Sequence, residues 1–278
     1  MLEDEPMSND LTEYFAGTKL YGDDFSTKDI EAWFKDETDA YAELGAKDRS
    51  TYHYAYTALN EHHGYRFLPP GPIEHALGLG SAYGDEFLPI ADRLRRITIL
   101  DPSDSFSTDH VAGVPCRYVK PRTNGDMPFD RETFDLITCF GVLHHIANIS
   151  HVMAECHRCL RPRGIFLVRE PITSMGDWRR PRAGLTKRER GIPVKIFHEI
   201  IAKAGFRIRR RGFCVFPVIT KLATAVGIAP FNHRSLTALD SIVSLAFSWN
   251  DRYHRTRVIE KFGPQALYFV LEKPASAC

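Results

Sequence analysis

The chain has 278 residues, of which 44% are hydrophobic and 26% charged, the composition of an ordinary globular protein. Its 36 Lys and Arg residues nearly balance 35 Asp and Glu residues, so no global charge favours nucleic acid as a partner. We find no basic-then-apolar leader and no apolar run of the roughly 18 residues that a membrane span needs, which predicts a soluble, cytoplasmic protein.

The first predicted unit is a helical cap over residues 1–70. Apolar residues over 29–44 recur at helical spacing, and Ser26 precedes them as an N-cap. A second helix is expected over 50–62. The sequence PPGP at 69–72 is a strong helix breaker and ends the unit.

Beyond the breaker, apolar runs alternate with helical patterns over residues 71–278. That alternation predicts an α/β fold with a Rossmann-like, mostly parallel, seven-stranded sheet and helices on both faces. The predicted strands are Ile73–Leu79, Ile97–Leu100, Cys116–Val119, Phe134–Phe140, Ile165–Arg169, Phe206–Phe216 and Ala266–Glu272. The predicted helices are Asp85–Leu94, Ile149–Leu160 and Val194–Ala204, with a helical insertion over 217–262.

A glycine-rich segment, GLGSAYG at 78–84, lies at the first strand-to-helix junction. Glycines there let the backbone turn sharply and approach a ligand, and the next helix offers free N–H groups. The following strand ends in Asp101, about twenty residues later, where a carboxylate can accept hydrogen bonds from both hydroxyls of a ribose. This pattern favours a nucleotide-type cofactor over the alternative of a simple tight turn.

Two later segments, FDLITCFGVLHH at 134–145 and LRPRGIFLVREP at 160–171, are typical of neighbouring parallel strands. Ligands bind just past the carboxyl ends of such strands, which is where His144, His145 and Glu170 fall.

Over roughly residues 71–171 these segments resemble the class I S-adenosylmethionine (SAM)-dependent methyltransferases. The family's first motif is D/E-x-G-x-G-x-G; here Gly80 and Gly84 take the first and third glycine positions, Ala82 takes the second, and Gly78 replaces the acidic residue. The resemblance implies SAM as the cofactor, bound by Gly80, Ser81, Ala82, Gly84, Asp101, Pro102, Ser103, Asp126, Met127 and Phe140.

Two alternatives stay open at this point. The glycine at position 78 supports a methyltransferase-like protein that binds SAM without catalysis, unless Asp85 or Glu86 supplies the missing carboxylate. A nicotinamide-dependent oxidoreductase is the other alternative, but the spacing from Gly78 is G-x-G-x-x-x-G rather than G-x-G-x-x-G, which favours SAM.

Methyl transfer to a hydroxyl needs an in-line acceptor and a group that removes its proton. His144, His145 and Glu170 are the candidate catalytic residues, and a neutral imidazole suits the role of base. Adjacent histidines diverge, so at most one faces the acceptor, and a capping role is the alternative for either. No metal is expected, because the C-x-x-C pair at 156–159 lies on an apolar helix face.

The polar, basic loop over 171–193 offers candidate substrate-binding residues, namely Trp178, Arg179 and Arg182. Arginine forks suit an anionic acceptor, whereas a solvated surface loop is the alternative interpretation. The loop and the N-terminal helix resemble methyltransferases of bacterial glycan and polysaccharide biosynthesis. That resemblance implies transfer to oxygen of a small-molecule or sugar-linked acceptor.

Overall fold

The structure, a computed structural model, describes residues 11–43 and 49–275. Its strands are β1 (Ala76–Leu79), β2 (Ile97–Leu100), β3 (His110–Val111), β4 (Val114–Val119), β5 (Phe134–Phe140), β6 (Leu160–Pro171), β7 (Arg207–Cys214) and β8 (Ala266–Glu272). Its α-helices are α1 (Thr12–Ala16), α2 (Thr27–Glu43), α3 (Thr57–His63), α4 (Ile149–Cys159), α5 (Val194–Lys203), α6 (Pro217–Ala225) and α7 (Arg234–Ala246). Short 3₁₀ turns cover Tyr65–Phe67, Asp85–Arg93, Leu143–His145, Pro230–Asn232 and Ile259–Lys261.

All these strands form one sheet in the order β3-β4-β2-β1-β5-β6-β8-β7. Strands β4, β2, β1, β5 and β6 are mutually parallel, whereas β8 runs antiparallel to both of its neighbours. The predicted Rossmann-like, mostly parallel α/β fold is therefore confirmed. The sheet has an eighth strand that the sequence does not predict, because β3 is only two residues long and pairs with β4 through a tight turn.

Several predicted boundaries differ from the observed ones. The segment Asp85–Arg93 is a 3₁₀ turn rather than an α-helix, and it contains Pro89, whose missing N–H weakens α-helical bonding. The helix expected from residue 50 begins only at Thr57, whose backbone N–H donates to Asn232 Oδ1 at 2.9 Å. Ile73 makes only an isolated bridge to Leu94, so β1 begins at Ala76.

Two hydrophobic cores cover the two faces of the sheet. One packs α4 and α5 against β5, β6 and β8, and the other packs α3 and the Asp85–Arg93 turn against the opposite face. Cys156 and Cys159 are fully buried in the first core, as predicted for packing residues. Successive residues of a strand point to opposite faces, so Arg169 and Glu170 at the end of β6 project in opposite directions.

Helix α2 covers the carboxyl ends of the central strands. Its start has the predicted capping contacts, because Ser26 Oγ accepts a hydrogen bond from the Asp29 N–H at 3.3 Å and donates to the Asp29 carboxylate at 2.6 Å. The last residue of the helix predicted over 29–44, Leu44, lies outside the described residues. The division of the chain at residue 70 stays a prediction. No helix in the described part of the chain combines the length and apolar surface that a membrane crossing requires.

Candidate active site

The order of strands reverses between β1 and β5, and a crevice opens there at their carboxyl ends, as such sheets require. It contains roughly 1070 Å³ of space, part of it open to solvent, which we call the main cavity. Its floor is formed by the ends of β1, β2 and β5. Side chains of α2 close it, namely Ile30, Trp33, Phe34, Glu37 and Thr38.

The glycine-rich loop forms one wall of the main cavity. Gly80 has a φ of +57°, and a Cβ there would lie 2.7 Å from a methyl of Val142, so only glycine fits. Asp101 at the end of β2 accepts hydrogen bonds from the N–H of Ser103 at 2.8 Å and of Ala82 at 3.3 Å. Burial raises the pKa of Asp101, which is only 2% exposed. Its carboxylate thus joins the loop to the next strand at the cavity wall.

The structure accounts for the glycine at position 78. A Cβ on Gly78 would lie 2.2 Å from Ser81 Oγ, so the Ser81 side chain fills the space where the family's acidic residue would begin. Ser81 Oγ donates to Glu86 Oε1 at 2.9 Å, and Thr138 Oγ1 donates to the same oxygen. Burial raises the pKa of Glu86 to about 7. Glu86 therefore places a carboxyl group beneath the loop, although it does not line the cavity.

The other predicted cofactor residues divide into three groups. Those lining the main cavity are Gly80, Asp101, Pro102, Asp126 and Met127. Those that shape the loops behind its wall are Ser81, Ala82, Gly84 and Ser103. Phe140 lies apart from both groups, because it lines a second cavity on the other side of Gly141.

Glu170 holds the backbone of the Leu143–His145 turn. It is fully buried, and its two carboxylate oxygens accept hydrogen bonds from the N–H groups of Val142 and Leu143, both at 2.9 Å, and of His144 at 3.3 Å. Burial alone would raise its pKa, but the His144 ring and these N–H groups lower it. A carboxylate with its lone pairs occupied in this way positions the turn and has no free oxygen for an acceptor proton.

His144 lies between two carboxylates. Its Nδ1 is 2.8 Å from Glu170 Oε2, and its Nε2 is 3.2 Å from Glu189 Oε1. Burial lowers the pKa of His144, but the two carboxylates together raise it to about 9. A protonated imidazole with both nitrogens occupied cannot accept another proton, so the geometry disfavours His144 as a base.

His145 differs from its neighbour in exposure and in hydrogen bonding. Its side chain is 28% exposed and lines the main cavity. Nδ1 lies 2.9 Å from Glu37 Oε2, whereas Nε2 is 3.9 Å from Glu189 Oε1, beyond hydrogen-bond distance. Donation of the Nδ1 proton to Glu37 leaves the Nε2 lone pair available, which is the tautomer that a base requires.

The same residues form a cluster of metal-ligand type. One atom each from His144, His145 and Glu189 lie within 4.8 Å of one another. Two histidines and a carboxylate could hold a divalent ion. However, His144 Nε2 and Glu189 Oε1 are already at hydrogen-bond distance, so the described contacts are accounted for by protons alone.

The loop over 172–193 uses its predicted substrate-binding residues for its own packing. Trp178 is buried and stacks on Phe15, with ring centroids 4.5 Å apart. Arg179 is exposed and pairs with Asp177 at 2.8 Å. Arg182 donates to the backbone carbonyls of Met175, Thr186, Lys187 and Glu189. None of the three lines either cavity.

Sequence reasoning missed Arg190, which is fully buried against the Leu143–His145 turn. Its guanidinium donates to the backbone carbonyls of Tyr21, Leu143, His144, Ile146 and Ala147. Glu37 and Glu189 were missed as well. Nothing local marks these residues, because each acts on partners that are distant in the chain.

Comparison with known proteins gives a family and a fold. A methyltransferase domain model matches residues 77–168. An S-adenosylmethionine-dependent methyltransferase from Mycolicibacterium smegmatis is 34% identical over 100 residues, covering 34% of this chain and 36% of that protein. A ubiquinone biosynthesis O-methyltransferase from Methylobacterium sp. is 30% identical over 120 residues, covering 41% and 48%. The chain thus matches less than half the length of these relatives.

The fold is shared with a SAM-dependent methyltransferase from Leishmania major, with a TM-score of 0.56 at 13% identity over 89% of this chain and 86% of that one. The predicted likeness to glycan-pathway methyltransferases finds no support in these relatives. The crevice beside the glycine loop, the domain match and the fold all indicate a methyltransferase-type cofactor site. Residues 77–168 match a methyltransferase domain, and the sheet has the fold of a solved SAM-dependent methyltransferase. These matches imply S-adenosylmethionine as the cofactor.

Proposed function

We propose that this chain is an enzyme that transfers the methyl group of SAM to a hydroxyl oxygen of a small-molecule acceptor. The observation that carries this proposal is the pairing of His145 with Glu37 at the main cavity. That pair presents a free imidazole nitrogen, as proton removal from a hydroxyl requires.

The residues of the main cavity fit SAM. Close backbone approach at Gly80 suits the methionine part, and the buried carboxylate of Asp101 suits the two ribose hydroxyls. Asp126 and Met127 line the cavity beyond Asp101, where the adenine would lie. When bound, SAM supplies a methyl group that its sulfonium charge already activates.

In this mechanism the protein contributes placement and one proton transfer. His145 Nε2 removes the acceptor proton, and Glu37 stabilises the imidazolium that forms. Glu170 and His144 fix the turn that carries His145. Helix α2 closes the cavity and excludes water, which strengthens these electrostatic contacts.

Oxygen as the target is supported by the Methylobacterium relative, which is named as an O-methyltransferase. The sugar-linked acceptor expected from the sequence remains one class to test. A SAM-binding protein without catalysis stays the alternative to test, because the carboxyl group of Glu86 lies beneath the glycine loop and does not line the main cavity.

Calorimetric titration with SAM and with NADH, followed by release of S-adenosylhomocysteine in the presence of hydroxyl-bearing acceptors, tests the proposal. We expect SAM to bind, NADH not to bind, and release of product to need an acceptor. Binding of SAM without turnover on any acceptor class would favour a non-catalytic protein. Binding of NADH in place of SAM would overturn the proposal.

A further inference from the structure

Arg169 lies near the end of β6, two residues before Pro171, and is a buried cation that forms no ion pair at contact distance with the described residues. The buried Glu86 carboxyl interacts with it only at longer range. Only 6% of the residue is exposed, and its Nη1 is buried with no hydrogen-bond partner. Among the residues that the structure describes, its guanidinium makes no ion pair and no side-chain hydrogen bond. Its one close contact is with the face of the Tyr56 ring, whose centroid lies 3.8 Å from Cζ.

Such an arrangement is costly in the unliganded protein. The guanidinium stays charged at every pH a protein tolerates, and a buried charge without a partner loses its hydration. Contact with Tyr56, and a longer one of 5.7 Å with Phe140, offset only part of this cost. On the neighbouring strand, Tyr268 lies directly opposite Arg169 and its buried Oη also lacks a partner.

The second cavity opens beside this cation. It contains roughly 970 Å³ of space, part of it open to solvent, and we call it the side cavity. Apart from Arg169, its walls include the rings of Tyr56 and Phe140 and the apolar side chains of Met175 and Val215. Its other polar lining residues are His144, Glu170, Thr173 and Gln265, and the Glu170 carboxylate is already occupied by His144 and by the N–H groups of the turn. Gly141 lines both cavities, so the two lie on either side of the end of β5. A molecule held in the side cavity would have to extend past Gly141 to reach the main cavity.

We propose that the side cavity binds the carboxylate of a small, largely apolar carboxylic acid through Arg169, and that a hydroxyl elsewhere on this acid accepts the methyl group. A carboxylate matches the fork of a guanidinium with two parallel hydrogen bonds, and the apolar walls suit an aromatic or aliphatic body. The identity of this ligand as acceptor rests on the proposed function. Binding of the carboxylate to Arg169 does not depend on it.

The position of Arg169 distinguishes it from the basic loop. Arg179 is exposed and paired with Asp177, and Arg182 is occupied by four backbone carbonyls. Neither has a free donor facing a cavity. An anionic acceptor would therefore bind Arg169 on β6 rather than the arginines of the loop over 172–193.

Benzoate and benzamide form a matched pair of probes, because they have the same shape and differ in charge. Equilibrium titration of the full chain without SAM should show binding of benzoate and much weaker binding of benzamide. Arg169→Met should weaken benzoate binding about ten- to a hundredfold, the worth of hydrogen bonds between charged groups. The benzoate affinity of Arg169→Lys should lie between those of wild type and Arg169→Met. The exposed control Arg179→Met should bind benzoate as wild type does.

The thermal midpoint separates ligand binding from a structural role. Removal of a buried, unpaired charge should leave the Tm of Arg169→Met unchanged or raised. Benzoate should raise the Tm of wild type and of Arg179→Met, but not that of Arg169→Met. Equal binding of benzoate and benzamide, or equal binding of benzoate by wild type and Arg169→Met, would overturn the proposal. A large drop in Tm for Arg169→Met would overturn it too, since Arg169 would then be structural.

SAM titration separates this proposal from the proposed function. If benzoate binds through Arg169 and SAM does not bind, the side cavity is an anion site and the proposed function fails. If SAM binds and acceptors turn over while benzoate binding ignores Arg169, the proposed function holds and this proposal fails. Benzoate should also inhibit turnover of an acceptor, because both would occupy the side cavity. Turnover unaffected by benzoate would show that the anion site is not part of the acceptor site.

Discussion

The two cavities that meet at Gly141 are built in different ways. The main cavity takes its glycine loop and Asp101 from residues 78–84 and 101–103, which are close in the chain and joined by short hydrogen bonds. The side cavity and the Glu37–His145 pair combine α2, the ends of β5 and β6, and the loop over 172–193. The cofactor side is thus local in sequence, and the acceptor side is assembled from distant segments.

This difference separates the segment that matches the methyltransferase domain from the segments on either side of it. The domain match ends at residue 168, one residue before Arg169. Glu37 and Glu189 also lie outside it. Under the proposed function, the matched segment would hold the cofactor and residues outside it would contribute to the choice of acceptor.

The largest expected effect is on the cofactor side. Gly80→Val should abolish SAM binding, because its Cβ would lie 2.7 Å from Val142 in a left-handed conformation. Gly113→Val is the matched control, since Gly113 also has a positive φ but nothing within 4 Å of a Cβ. Calorimetry should show lost binding in the first variant only. Normal SAM affinity in Gly80→Val would reduce the loop to a simple turn.

The next effect sharpens the acceptor side. His145→Ala should lower kcat roughly 10²–10⁴-fold while SAM affinity stays near wild type, as expected for loss of a general base. Glu37→Ala should lower kcat less, because the ring loses its orienting partner but keeps Nε2. The exposed His110 provides a control as His110→Ala. Steady-state kinetics of these variants measure kcat. A kcat of His145→Ala equal to that of wild type would exclude the Glu37–His145 pair from catalysis.

A third effect concerns stability and pH. Glu170 and Glu189 raise the pKa of His144 to about 9 in spite of burial, above its ordinary 6.5. The folded state therefore holds this proton more tightly. The protonation of His144 therefore contributes on the order of 3 kcal/mol to the free energy of unfolding. This contribution is complete below about pH 6.5 and is lost as the pH rises through about 9. Melting curves between these values should show a falling Tm in wild type and a flatter profile in His144→Gln, with His110→Gln unchanged from wild type. Parallel profiles for all three would contradict the assignment.

The smallest effect returns to the cofactor side. Asp101→Ala should weaken SAM binding by about 1.5–3 kcal/mol, the worth of hydrogen bonds to a charged group. Asp104→Ala is the control, because that carboxylate lies three positions away and its side chain is 94% exposed. Titration should separate the two variants. Unchanged affinity in a folded Asp101→Ala protein would remove the ribose contact from the proposal.

Much of the fold could be predicted because apolar runs mark buried strands whatever surrounds them. The two-residue β3 has no such run, and Pro89 changed a helical pattern into a 3₁₀ turn. At the site, the glycine loop and Asp101 could be found because their spacing is fixed by one strand–turn–strand unit. The Glu37–His145 pair could not, because 108 residues separate its members.

The charged residues of the basic loop illustrate the converse. Arg179, Arg182 and Arg190 look alike in sequence, yet their environments differ. Arg179 is exposed, Arg182 binds the carbonyls of its own loop, and Arg190 is fully buried against the Leu143–His145 turn. Burial decides between these roles, and burial depends on tertiary packing. Arg169 ends a predicted strand, but nothing in the sequence shows that its charge is buried without an ion pair.

The hydrogen bond from Arg190 to the carbonyl of Tyr21 also has a consequence for the order of folding. It joins residues 169 positions apart, and the entropy lost in closing a loop grows with its length. The strands of the cofactor side pair over shorter separations and are expected to form earlier. A chain interrupted before residue 190 would still contain β1 to β6, but it would lack the guanidinium that joins the carbonyl of Tyr21 to those of the Leu143–His145 turn.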